Sequence, residues 1–138
     1  LVRAGWRPVI AHPERYRNAD ESLGEFARCK AAGALLQLNV GSLFGDYGKT
    51  AAAYATALLT AGWIDYVSSD YHARGEPGVA RFVGALVQSG YAAQAEVLTV
   101  TNPGRLVAGE APLPVAPLQT TEPRPKAPGF WDKMLGPD

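Results

Sequence analysis

Leu35-Leu36-Gln37-Leu38-Asn39, the alanine-rich stretch that runs from Lys49 to Ala61, and Ile64-Asp65-Tyr66-Val67-Ser68 decide how this chain folds. Two short apolar-rich runs of strand length flank a segment of strong helix formers, and Gly62 stands where that helix must stop. Strand, helix, strand in that order is the unit from which parallel sheets are built.

The same alternation extends outward. Toward the N-terminus, Pro8-Val9-Ile10-Ala11 is a strand closed by His12-Pro13. Asp20 is placed to cap a helix over 21–32, with Leu23, Phe26, Ala27 and Lys30 at helical spacing and Gly33 as its stop. The segment 41–48 reads as a glycine-bearing loop. Toward the C-terminus, helices are predicted over 79–89 and 91–98, separated at Gly90. Thr101-Asn102-Pro103 reads as the cap and first-turn proline of a last short helix ending near Gly109. The fold class is therefore α/β with parallel strands. Three strands are too few for a closed barrel, and Leu1 to Arg7 reads as the end of a helix entering a strand through Gly5. The chain is expected to be the C-terminal portion of a longer domain. Residues 1–111 form its folded part, and 112–138 a proline-rich, extended, mobile tail.

Composition narrows the function. Of 138 residues, 47% are apolar and 19% charged, which is globular rather than disordered composition. Thirteen basic side chains balance thirteen acidic ones, so bulk charge gives no reason to expect a nucleic-acid or anionic-membrane partner. No apolar run reaches the ~20 residues of a membrane span. A single cysteine cannot form an internal disulfide, and the expected setting is soluble, reducing and cytoplasmic. Seven of the eleven prolines lie from Pro112 onward. The tail ends in Phe130-Trp131-Asp132-Lys133-Met134-Leu135, which reads either as a loose terminus folded back on the body or as a docking peptide.

Three polar clusters each follow a predicted strand: His12-Pro13-Glu14-Arg15, Asn39 with Gly41-Ser42, and Ser69-Asp70-Tyr71-His72. In parallel α/β folds that rim gathers ligands and catalytic groups. Asp70 and His72, on one side of an extended segment, offer oxygen and nitrogen donors to a divalent metal, or else a turn cap and a loop imidazole. His12, preceding a proline, is expected to be extended and preorganised. Glu14 reads as a surface carboxylate. Arg15 and Arg74 are each either a phosphate fork or a surface ion-pair partner. Ser42 is either part of an anion nest or a plain loop residue. Cys29 lies in a predicted helix with Leu35 where a cysteine phosphatase loop would carry arginine, so it reads as a buried structural thiol.

Taken together, P-V-I-A-H-P-E-R-Y over 8–16, Q-L-N-V-G-S-L-F-G-D-Y-G over 37–48 and S-D-Y-H over 69–72 resemble a known family. They are similar to the PHP-superfamily (polymerase and histidinol phosphatase) protein-tyrosine phosphatases of bacterial capsule and exopolysaccharide operons, the CpsB/CapC type. The likeness spans Leu1 to Gly109. It implies a portion of a distorted (β/α)7 barrel whose strand ends hold up to three metals, commonly manganese, with iron, cobalt or zinc as alternatives. It implies that His12, Asp70 and His72 are metal ligands and that Arg15 and, less directly, Arg74 bind the substrate phosphate. The Asn39 to Ser42 loop shapes the site. Tyr71 stands where a small residue is usual. The family's N-terminal H-x-H and its further Asp, His and bridging Glu ligands have no counterpart here.

The activity implied is metal-assisted hydrolysis of phosphotyrosine by activated water, without a phosphoenzyme. The implied partner is the phosphotyrosine tail of a bacterial tyrosine autokinase that governs polysaccharide export; homo-oligomerisation stays open. The 138-residue chain alone is expected to be weakly active or inactive. Two other readings remain: a small-molecule phosphatase acting on a compound such as histidinol phosphate, and a non-catalytic remnant that docks a partner through its tail.

Overall fold

Every residue of the central strand β2 (Leu35–Asn39) is buried, because both faces of the sheet are covered. The computed structural model describes residues 2–16, 24–72 and 77–118. Within it β2 pairs in parallel with β1 (Val9–Ala11) on one side and β3 (Tyr66–Ser68) on the other, giving the order β1-β2-β3. Ala11 lies opposite Gln37, and Asn39 opposite Ser68. That register brings the C-terminal ends of all three strands to one rim, where the three polar clusters begin. The mixed α/β architecture with a parallel sheet is the one the sequence predicts.

The helices are α1 (Gly24–Ala31), α2 (Val40–Leu43), α3 (Gly48–Thr60), α4 (Val79–Gln88), α5 (Ala92–Glu96) and α6 (Asn102–Val107). The expected cap Asp20 and the start of the first helix at 21–23 lie outside the described residues. Leu36 and Leu38 pack into one core with Leu58 and Leu59 of α3, Phe82 and Leu86 of α4, and Leu98. Each such side chain is fully withdrawn from water, worth roughly 2 kcal/mol apiece. At the rim opposite the polar clusters, Lys30 Nζ donates to both oxygens of Asp65 (2.9 and 2.8 Å) and to Trp63 O (2.9 Å), tying α1 to the entry of β3.

Several expectations are corrected. The loop predicted at 41–48 begins with a helical turn, α2, because the Asn39 side chain caps it by accepting a hydrogen bond from Gly41 N (2.9 Å). Cys29 is half-buried rather than buried. The helix predicted to end near Leu98 continues: Val97–Thr101 forms a wide π turn that passes directly into α6, and Thr101 makes no side-chain cap. The wider turn accommodates Pro103, which has no N–H to give to the preceding turn. Asn102 is not a cap residue but a fully buried clamp. Its Nδ2 donates to Asp65 O (2.7 Å) and Leu113 O (2.9 Å), and its Oδ1 accepts from Leu113 N (2.7 Å).

Residues 112–118 have no helix or strand, as their prolines require, yet this part of the expected mobile tail is fastened to the body. Leu118 is buried and its N donates to Thr60 O (3.2 Å). Gly62, at φ 71°, lies under this strap, where a Cβ would stand 2.7 Å from Val115 O. The 130–135 segment lies outside the described residues.

Candidate functional site

Among the described residues two that are not glycine have left-handed backbone, and both sit at the strand-end rim: His12 (φ 40°) after β1 and Asp70 (φ 50°) after β3. Such conformations are uncommon outside glycine, and strained positions of this kind concentrate at functional sites. His12 is therefore not extended as the following proline led us to expect. Its N still donates to Gln37 O (2.8 Å), and its O accepts from Arg15 N (3.0 Å), so the chain must reverse there from β1 into the 3-10 turn Pro13–Arg15. The Asp70 segment is not extended either. Its turn nonetheless brings Asp70 Oδ1 within 3.3 Å of His72 Nε2.

Arg15 reaches across the rim, with Nη1 3.3 Å from Asp70 Oδ2 and its guanidinium 4.0 Å above the Tyr47 ring. Asn39 links the same groups. Its Nδ2 donates to Asp70 Oδ2 (3.4 Å) and to Tyr47 Oη (3.3 Å). Gly41 lets this cluster close up, since a Cβ there would meet Asp46 Oδ2 at 2.7 Å and Asn39 and Tyr47 at 3.3 Å.

Glu14 overturns the expectation of a surface carboxylate. It is 2% exposed, and its Oε1 accepts from Ser42 Oγ (2.7 Å) and Asn39 N (3.3 Å), while Oε2 is buried with no hydrogen-bond partner. Burial raises its pKa above the ordinary carboxylate value; the Ser42 and backbone hydrogen bonds and nearby His12 act in the opposite direction. Ser42 is thus neither a plain loop residue nor an anion nest. Its hydroxyl is committed to Glu14 and fully buried, out of reach of any substrate.

Asp70 and His72 line a cavity of about 680 Å³ together with Asn39, Gly41, Phe44, Asp46, Tyr47, Ser69, Tyr71, Pro77, Gly78 and Arg81. The guanidinium of Arg81 stacks on Phe44 at 4.2 Å. The sequence reading missed Phe44, Tyr47 and Arg81 as wall residues. Helical spacing puts Arg81 beside the buried Phe82, but only the fold shows which rim it faces. Arg74 lies outside the described residues.

The structure thus brings Arg15, Asp70 and His72 together. It does not gather His12 with them: among the described residues no group of three His, Cys, Asp or Glu side chains could hold a metal. The donor chemistry of Asp70 and His72 fits a borderline divalent cation, but a pair falls short of the three or four protein ligands such a cation takes.

A model of the family described as "Capsular polysaccharide synthesis, CpsB/CapC" matches residues 1–108. The chain belongs to the CpsB/CapC family. Over 72 residues it is 41% identical to the tyrosine-protein phosphatase YwqE of Bacillus subtilis, a stretch covering 52% of this chain and 28% of YwqE. Over the same length it is 31% identical to the putative tyrosine-protein phosphatase CapC of Staphylococcus aureus, with the same coverage. A crystal structure from the pair YwqE of Bacillus subtilis and CpsB of Streptococcus pneumoniae, described as metal-dependent tyrosine phosphatases, superposes with a TM-score of 0.66 at 27% identity. It takes in 86% of this chain and 49% of the solved one, so the chain spans about half the length of that relative. All of the CpsB/CapC rim described above, from His12 to Arg81, falls inside the matched span; the strap beyond Ala108 falls outside it. Among the described residues of this CpsB/CapC chain no helix is long and apolar enough to cross a membrane.

Proposed function

We propose that this chain supplies part of the active site of a metal-dependent protein-tyrosine phosphatase. The observation that carries the reading is the contact of Arg15, Asp70 and His72 at the strand-end rim of a CpsB/CapC chain, beside a cavity of ligand size. In this reading His12, Asp70 and His72 are ligands in a site of two or three divalent ions, Mn2+ first among the candidates; His12 stands apart from the Asp70 and His72 pair, and further ligands come from outside these 138 residues. Arg15 and Arg74 bind the phosphate. The substrate is the phosphotyrosine tail of a bacterial tyrosine autokinase, and the setting is the cytoplasmic control of capsule or exopolysaccharide export.

When bound, the metal supplies Lewis acidity, acidifying water and offsetting phosphoryl charge. The chain's own side chains orient the ester. Arg15 presents a planar fork suited to two phosphoryl oxygens, and the Tyr47 ring beneath it limits where that fork can point. Asn39 holds Asp70 and Tyr47 in one network. Ser42, the hydroxyl best placed beside a carboxylate, is fully buried, which favours direct attack by water over a covalent intermediate.

The test compares the 138-residue chain with a version extended at its N-terminus, using p-nitrophenyl phosphate, a phosphotyrosine peptide and histidinol phosphate with Mn2+. The extended protein is expected to favour the phosphotyrosine peptide, and the 138-residue chain to show little or no turnover. Asp70→Asn is expected to reduce both bound metal and turnover by at least a hundredfold, on the order of the losses seen when catalytic metal or electrostatic groups are removed. Full turnover by Asp70→Asn, or equal metal content in it, rejects the ligand assignment. A preference for histidinol phosphate rejects the protein-phosphatase assignment.

A further inference from the structure

Phe44 and Tyr47 belong to one turn between α2 and α3, and each ring carries a guanidinium over its face, Arg81 at 4.2 Å and Arg15 at 4.0 Å. Both rings line the 680 Å³ cavity that has Asp70 and His72 in its wall. Neither ring is loosely placed. The Tyr47 hydroxyl accepts from Asn39 Nδ2 (3.3 Å), and Phe44 lies so close to Gly78 that a Cβ there would touch its Cε2 at 3.4 Å. Stacked cations further restrict how the rings turn. Yet Tyr47 is 43% exposed, which leaves room for a bound ring to pack against it. The cavity has room for a phenyl group and the backbone that carries it.

We infer that Phe44 and Tyr47 are specificity-determining residues that make this site prefer aryl over alkyl phosphoesters. The ring of the ligand lies against theirs while its phosphate occupies the end marked by Asp70, His72 and Arg15. The position of the phosphate rests on the phosphatase reading; the surface that reads the leaving group is the addition. An alkyl phosphate meets the same charged groups but leaves the exposed surface of Tyr47 uncovered.

Non-hydrolysable ligands separate the two ideas. Calorimetric titration of the version extended at its N-terminus, with Mn2+ present, compares phenylphosphonate with methylphosphonate. Phenylphosphonate is expected to bind about tenfold more tightly, the scale of one or two aromatic contacts. Tyr47→Leu and Phe44→Leu, which keep apolar volume so that the fold is retained, are each expected to reduce that ratio roughly threefold. Because the ratio is taken within one variant, a general loss of affinity cancels. Equal affinity for the two phosphonates, or an unchanged ratio in both leucine variants, overturns the inference and leaves the phosphate site standing. Failure of both phosphonates to bind overturns the phosphate site itself and this inference with it.

Discussion

A buried carboxylate loses its hydration, and hydrogen bonds must replace it; Glu14 has them on one oxygen only. Folding therefore favours the protonated form, and the direction follows from linkage. With the folded-state pKa above the ordinary 4.5, Glu14 contributes most to stability below that value and loses the contribution as pH rises through its raised pKa. Glu14→Gln keeps an acceptor for Ser42 and Asn39 N without the charge. In unfolding experiments without added metal, the difference in stability between variant and parent is expected to rise with pH across that window. It should level off above it at a gain on the order of 1 kcal/mol for the variant. A difference that stays flat from pH 4 to 8 shows that burial does not raise the Glu14 pKa. The string H-P-E-R did not reveal this role, because an acid after a proline in a polar segment looks like any solvated loop residue. Its burial depends on Ser42 and Asn39, which arrive from another strand end.

Strands and helices were legible for a local reason: β2 carries three leucines in five residues where both sheet faces are covered, and α3 combines strong helix formers with a glycine stop. What sequence spacing could not show was the partner of a charge on a buried face. Lys30 sits at the helical spacing of Phe26 and Ala27, which normally marks core, and the structure resolves the conflict by pairing it with Asp65. Asp65 also accepts from Leu36 N (2.7 Å), so its carboxylate fastens α1, β2 and the approach to β3 at the rim away from the site. Lys30→Met keeps the apolar stem but leaves Asp65 with an uncompensated charge. The expected loss is about 2 kcal/mol, below the figure for a fully buried pair because Lys30 keeps 29% of its side chain exposed. Adding Asp65→Asn to Lys30→Met is expected to recover part of that loss in denaturant unfolding. A double variant no more stable than the single one shows that the lysine's packing, not its charge, was the stabilising element. The site obeys the same division. That Asp70 and His72 share a rim was readable from the strand order, whereas the left-handed turns at His12 and Asp70 were not, since neither residue is a glycine.

For the whole molecule, the question is where the folded unit ends. Composition put the boundary at Pro112, because proline excludes helix and central strand, but proline does not exclude packing. Asn102 makes three hydrogen bonds that reach the sheet at Asp65 and the strap at Leu113, and Leu118 closes the far end of the strap over Thr60. If the strap is one cooperative segment, releasing its near end frees the far end as well. Asn102→Ala strips partners from one N–H and two carbonyls, with an expected cost of about 3 kcal/mol. It should also increase amide exchange at both Leu113 and Leu118 and expose 111–118 to protease. Gly62→Ala approaches the same segment from beneath, through the 2.7 Å clash with Val115 O and the cost of a side chain at φ 71°. It is expected to give the same exchange pattern while leaving Asn102 intact. Leu118 remaining protected in both variants, with only Leu113 exchanging faster, shows that the two ends are held independently. The folded unit would then be fixed by Leu118 in the core rather than by the Asn102 clamp.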